Sequence, residues 1–417
     1  MTERSGTTLI LRVFAPFAFG YFLSYAYRTV NAVIAPELTR ALQLDADDLG
    51  LLTSAYFLSF AAAQIPLGIA LDRFGPRRIE AALLVVAAFG AHVFATADGP
   101  LALLAGRALI GLGVSACLMA AFKAFVQAYP AKRLPLVNGW QMAAGGLGAM
   151  SATVPAEALA AAYDWRLVFH LLGVLTLLAA AIVFVVVPRD GEQTPRDGAP
   201  SLRDELAGLR AILVTARFWR VAPATISSQA TFMAIVGLWA GPWLHDVGGL
   251  ADEAIAGRLL AITAAMIAGF LLIGFAAERL SHHGVAPITV AISGLTIFAA
   301  IQAGLIADAS ASPALWLAFG FFGTSGILPY AALSQQFPPA LAGRLNTTLN
   351  VLVFVTAFAA QWGMGAIIAH WPGIGPDPVV ASDTTAGYRA AFGLMLALQV
   401  LTLGWFALAR RDHDQPG

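Results

Sequence analysis

Three cationic side chains, Arg28, Arg107 and Lys123, stand inside long apolar runs. A charge at the middle of a bilayer costs at least ~2.5–3.5 kcal/mol on insertion scales, so such a residue is a functional candidate by default. Arg28 has the clearest surroundings. Tyr21, Tyr25, Arg28 and Ala32 recur at i, i+4, i+7 and i+11, one face of a helix, with Ser24 and Asn31 beside them. A guanidinium keeps its charge and offers a rigid fork to a carboxylate or phosphate, so this stripe can anchor an anion. The same side chain can instead serve as a strut, bonding neighbouring carbonyls or an acid. Arg107 has three roles open to it: sharing the anion with Arg28, relaying protons with a carboxylate, or tying spans together. Lys123 lies close to the end of its run, where a long side chain reaches the headgroups.

Carboxylates are placed differently. No Asp or Glu falls deep in an apolar run; Glu37, Asp48, Glu157 and Asp246 come nearest, all toward the outer ends. A proton-driven carrier needs a carboxylate or histidine whose exposure alternates and whose affinity for protons is tuned. Glu157 fits best, with His92 and His170 behind it, although a histidine on an apolar face is more often a core residue. Neutral polar groups among aromatics come from both halves: Gln64 from the first, Gln229, Trp239, Tyr330 and Gln361 from the second. They suit a small, partly apolar solute or hydrogen bonds between helices. No Ser-His-Asp set, paired acids or clustered metal ligands converge at one depth, so the reading is not an enzyme, and neither cofactor nor metal is expected. Cys117 is the only cysteine, which excludes an internal disulfide.

The elements that must hold these residues are membrane spans. With 59% hydrophobic and 12% charged residues and a mean hydropathy of +0.76, the 417-residue chain carries about half the charge of a soluble domain. Its formal net charge is zero, which offers no basic field for nucleic acid. The partner is lipid. Crossing ~30 Å of hydrocarbon takes about 20 apolar residues, and twelve segments qualify: 13–36, 49–70, 80–97, 100–128, 137–159, 166–187, 220–244, 255–277, 285–306, 313–336, 345–369 and 388–409. The first, preceded by Arg4 and Arg12, is too long for a cleaved signal and reads as a retained span. With the N-terminus cytoplasmic, most Lys and Arg fall inside, and only Arg40, Arg166, Arg258 and Arg389 face out.

The expected fold class is therefore all-α and polytopic, two six-helix bundles over 1–187 and 220–417 with a cytoplasmic linker at 188–219. The linker is rich in Pro, Gly and charge, and 201–212 can form an amphipathic helix on the membrane surface. The halves echo each other. Gly274-x-x-x-Glu278-Arg279 after span eight repeats Gly68-x-x-x-Asp72-Arg73 after span two, and Tyr388-Arg389-x-x-Phe392 repeats Trp165-Arg166-x-x-Phe169. A six-plus-six repeat puts a ligand site where the halves meet, near mid-membrane.

The turn after span two reads Gly68-x-x-x-Asp72-Arg73-x-Gly75-x-Arg77-Arg78. Gly68 suits close helix approach and Gly75 a turn with φ > 0. In this setting the pattern resembles the loop between helices 2 and 3 of the major facilitator superfamily. That resemblance spans nearly the whole chain through the twelve-span layout. It implies secondary transport by alternating access, with Gly68, Asp72, Arg73, Gly75, Arg77 and Arg78 as a cytoplasmic gating loop, and Glu278 and Arg279 as its weaker second copy. Arg107-x-x-x-Gly111-x-Gly113 resembles the fourth-helix signature of proton-coupled members. Span five, with Gly145, Gly146, Gly148 and Pro155, is only loosely similar to the fifth helix of drug antiporters, and close helix packing explains its glycines without any antiport chemistry.

Tyr25-Ala26-Tyr27-Arg28 resembles the first-helix arginine of two anion-transporting branches, the organophosphate:phosphate antiporters and the anion:cation symporters. In those branches the arginine contacts an anionic substrate. Span seven lacks a matching arginine beyond Arg220 at its edge, which points away from a phosphate dianion and toward a carboxylate. The expectation is an inner-membrane carrier of a small organic anion, both termini cytoplasmic, working as a monomer, with a proton or counter-anion as possible coupling partner. Two alternatives stand beside it: a proton-coupled exporter of amphiphilic or drug-like compounds, and a transporter-like receptor or assembly subunit.

Overall fold

Backbone crossing lipid must satisfy its hydrogen bonds internally, and this sequence does so with helices alone. The computed structural model describes residues 9–129, 134–188, 202–307, 312–334, 336–337, 339–371 and 384–409, and among them there is no strand. The helices are α1 (Ile10–Leu42), α2 (Ala46–Phe74), α3 (Pro76–Ala95), α4 (Pro100–Ala128), α5 (Leu134–Ser151), α6 (Val154–Ala162) and α7 (Trp165–Val186). They continue with α8 (Leu202–Leu213), α9 (Ala216–Asp246), α10 (Asp252–Ser281), α11 (Pro287–Ala307), α12 (Pro313–Gly323), α13 (Leu328–Ser334), α14 (Pro339–His370) and α15 (Thr384–Ala409). Among the described residues, ten helices are long and apolar enough to cross a membrane.

The remaining two expected spans are interrupted. Span five is split into α5 and α6 at Ala152 and Thr153, and Pro155 is the second residue of α6. Span ten is α12, a 3₁₀ turn at Thr324–Ile327, then α13, whose second residue is Pro329. Proline lacks the N–H that an unbroken helix would use, so each span restarts there, where that N–H is not needed. α9 carries Pro223 and a π-helical turn at Ile235–Trp239, a local widening that re-aims the side chains after it.

The chain forms two compact units, Met1–Glu37 with Ala55–Glu205, and Leu38–Ser54 with Leu206–Gly417. The second unit thus includes the end of α1 and the start of α2. Arg40 Nη2 lies 3.3 Å from Asp252 Oδ2, and Trp362 Nε1 donates to Asp47 Oδ1 at 2.7 Å. An added Cβ at Gly50 would come within 3.0 Å of the Gln361 carbonyl oxygen.

Inside the first unit, small residues set the spacing. A Cβ at Gly90 on α3 would sit 2.7 Å from Ile110 N on α4, and one at Gly113 on α4 would sit 2.5 Å from the Ala87 side chain on α3. In the second unit Phe218, Val221, Leu345 and Leu349 form a buried cluster that includes Ile212. The helix expected over 201–212 forms as α8, and Ile212 on it packs into this core. Linker residues 189–201 lie outside the described residues.

Candidate functional site

Within the first unit, α1 brings Tyr21, Tyr25 and Arg28 to one face, as their spacing requires. The Tyr21 and Tyr25 rings meet edge to face at 5.0 Å. Arg28 is half-buried, and its Cζ lies 4.7 Å from the Tyr25 ring centre, 5.7 Å from Phe60 and 5.9 Å from Tyr56. Aromatic faces carry negative potential, so this cup holds a guanidinium without neutralising it.

Arg107 is held differently. It is 2% exposed, donates from Nη1 to the Tyr27 carbonyl at 3.2 Å, and lies 5.2 Å from the Tyr56 ring. With the Asn31 amide turned so that its oxygen faces the guanidinium, that oxygen accepts from Nη2 at 2.8 Å and Nε at 3.1 Å. Of the roles open to Arg107, the contacts favour tying α4 to α1. Tyr27 completes the joint through its hydroxyl, 3.0 Å from Thr176 Oγ1 on α7. Gln64 is buried, 3.5 Å from the Ser115 carbonyl.

Sequence reasoning did not single out Tyr56 and Phe60, although Tyr56, Phe60 and Gln64 at i, i+4 and i+8 mark a helical face of α2. Tyr56 stands near both guanidiniums, and its hydroxyl is 3.5 Å from the Ser24 carbonyl. The glycines of α5 serve this site by packing: a Cβ at Gly145 would meet Tyr21 Cε1 at 2.6 Å and Tyr25 Cδ2 at 2.9 Å, and one at Gly148 would collide with the Phe22 carbonyl.

In the second unit Trp239 and Gln361 come together, the indole Nε1 donating to the Gln361 carbonyl at 2.9 Å. The Gln361 side-chain oxygen is buried with no hydrogen-bond partner among the described residues. Tyr330 stands 3.5 Å from Asn350 Oδ1, and the Gln229 side chain packs against Gly326. Neither contact joins the Trp239–Gln361 pair.

Glu157 is half-buried on α6. His170 is exposed on α7, its ring 5.8 Å from that of His92, which is exposed as well. One buried carboxylate was not singled out in the sequence. Glu80, the first residue of the expected third span, is fully buried with neither oxygen hydrogen-bonded among the described residues. α3 begins earlier, at Pro76, because Gly75 ends α2 and Pro76 starts the next helix; that places Glu80 one turn inside.

Around the turn after α2, Gly75 adopts φ +79°, the left-handed region that glycine fills freely. Gly68 does not bring helices together: an added Cβ would meet nothing within 4 Å. Arg77 is buried, donates from Nε to the Phe184 carbonyl at 2.7 Å and stacks on the Phe184 ring at 4.5 Å, so it ties α3 to α7. Arg73 and Arg78 are exposed, as are Glu278 and Arg279, and the Asp72 side chain lies outside the described residues. Lys123 reaches the end of α2. Its Nζ donates to the Leu71 carbonyl at 2.6 Å, where the end of α2 leaves acceptors for a cation.

The sequence pattern of the Major Facilitator Superfamily matches residues 17–361. Among curated relatives, the chain is 30% identical over 37% of its length to the uncharacterized transporter YybO of Bacillus subtilis, covering 36% of that protein. It is 28% identical to the probable sulfoacetate transporter SauU of Cupriavidus necator over 38% of this chain and 36% of the relative. It is 27% identical to the hexuronate transporter of Escherichia coli over 41% of this chain and 40% of the relative. Each match spans well under half of the relative's own length. Over their full lengths, the chain superposes with TM-score 0.78 and 18% identity on a bacterial homologue of the human lysosomal transporter Spinster.

Proposed function

The chain belongs to the major facilitator superfamily, so it is a multi-pass membrane transporter and not an enzyme, and on that premise we propose that it carries a small organic anion, a carboxylate, by alternating access. One observation carries the reading: Arg28 stands half-buried in the middle of α1 within a cup of Tyr25, Tyr56 and Phe60, on the same polar, aromatic face as Tyr21. Such a cup offers charge and a planar fork for a carboxylate together with apolar faces for its carbon skeleton.

Relatives named for hexuronate and sulfoacetate transport support an anionic substrate. In this reading Tyr21, Tyr25, Asn31 and Gln64 are candidate substrate contacts of the first half, Gln229, Trp239, Tyr330 and Gln361 are candidates of the second, and Arg107 sets the angle of α1. The loop with Asp72, Arg73, Arg77 and Arg78, and its copy at Glu278 and Arg279, braces the cytoplasmic side. The carrier is a monomer in the inner membrane with both termini cytoplasmic, driven by a proton, with Glu157 and His170 as candidate carriers, or by a counter-anion.

An exporter of amphiphilic compounds is the second reading, favoured by the aromatic cup and by similarity to the efflux pump aunC of Aspergillus niger. Thermal-shift measurements on purified protein separate the two. Stabilisation by D-glucuronate, sulfoacetate or simple carboxylates, followed by their counterflow in liposomes, is expected; stabilisation by cationic dyes alone would overturn the anion assignment.

A further inference from the structure

Glu80 is 0% exposed, and neither of its carboxylate oxygens has a hydrogen-bond partner among the described residues. An ionised carboxylate in that position would bear an uncompensated desolvation penalty, so the geometry favours the protonated acid. Its neighbours on three helices are known. From α1 it meets Gly20, where an added Cβ would run into Oε1; from its own helix, Leu84 lies beside the same Gly20 position. From α4 the thiol of Cys117 is the titratable group within electrostatic reach. Among the described residues no cation is paired with the carboxyl.

We propose that Glu80 is a proton-binding site whose proton leaves and returns as α1 parts from α3 at Gly20. An apolar side chain would pack this site at least as well, so packing gives no reason to keep an acid there. The charged form requires water, and water reaches the oxygens only when the Gly20 contact opens. Each protonation state thus goes with one packing of α1. Gly20 lies eight residues before Arg28 on that helix, roughly 12 Å at 1.5 Å per residue, so a shift of α1 at Glu80 moves the anion cup with it.

The role in coupling rests on the carrier reading, but the proton site can be tested without any substrate. Infrared spectra of the reconstituted protein, taken as wild type minus Glu80→Gln across a pH series, are expected to show a neutral-acid C=O band at neutral pH. That band should exchange with deuterium and disappear reversibly at alkaline pH. Absence of the band at neutral pH, or a band that neither exchanges nor titrates, would overturn the proposal. If Glu80→Gln folds poorly, the exchange and titration of the wild-type band, displaced in Glu80→Asp, carry the same information. Gly20→Ala places a methyl group against Oε1 and should abolish the band at neutral pH by forcing the carboxyl toward water. An unchanged band in that variant would remove α1 from the mechanism. Failure to find a transported anion leaves all of these readings intact, so the two ideas fail separately.

Discussion

Two arginines, both set against Tyr56, differ in their other surroundings. Arg107 is bonded to Asn31 and to the Tyr27 carbonyl, whereas Arg28 is cupped by rings and half-buried. Arg28→Lys keeps the charge and loses the fork. Carboxylate affinity should fall about tenfold or more, the size of one charge-assisted hydrogen bond at ~1.5–3 kcal/mol, with folding unchanged. Binding titrations followed by thermal shift check this. Arg107→Lys should do the reverse, lowering thermal stability by about 1.5–3 kcal/mol while the folded fraction binds normally. Normal stability with lost binding would move Arg107 into the anion site.

At the scale of elements, glycines divide into those that carry a helix contact and those that do not. A Cβ at Gly148 on α5 would strike the Phe22 carbonyl of α1, whereas one at Gly139 on the same helix would meet nothing within 4 Å. Gly148→Ala should therefore destabilise the protein by about 1–3 kcal/mol through overpacking. Gly139→Ala should be neutral or stabilising by up to ~1 kcal/mol, since alanine is the better helix former. Denaturation of the two variants side by side is the measurement; equal effects would mean that α5 and α1 do not touch as described. The breaks before Pro155 and at Thr324–Ile327 belong to this scale too, because a local backbone defect ends one helix and begins another without removing the span.

For the whole molecule, the proposed orientation is open to a direct test. Cys117, the only cysteine, is buried, so a cysteine introduced at the surface is the reactive one after Cys117→Ala. Arg73→Cys should label with a membrane-impermeant maleimide only from the cytoplasmic side, and Glu253→Cys only from the opposite side. Labelling of both from one side would overturn the even, alternating span order. The division into two compact units runs through α1 and α2, since Leu38–Ser54 belongs with Leu206–Gly417. Units drawn by spatial proximity therefore need not follow the duplication seen in the chain.

The sequence by itself determined what lipid demands locally: helical spans from apolar run length, the turn at Gly75 from a residue free to take positive φ, and the stripe of Tyr21, Tyr25 and Arg28 from helical period. These depend on neighbours in the chain, and so are legible in one dimension. Tertiary structure alone decided which polar groups are already spent. Lys123 found the Leu71 carbonyl, Arg77 found Phe184, Arg107 found Asn31 across two helices, and Ile212 turned into a core. It also decided that Glu80, at the margin of an apolar run, has no partner among the described residues. The reason is physical: the cost of a buried charge or polar group is set by what distant segments bring beside it, and residue spacing along one helix carries no record of that.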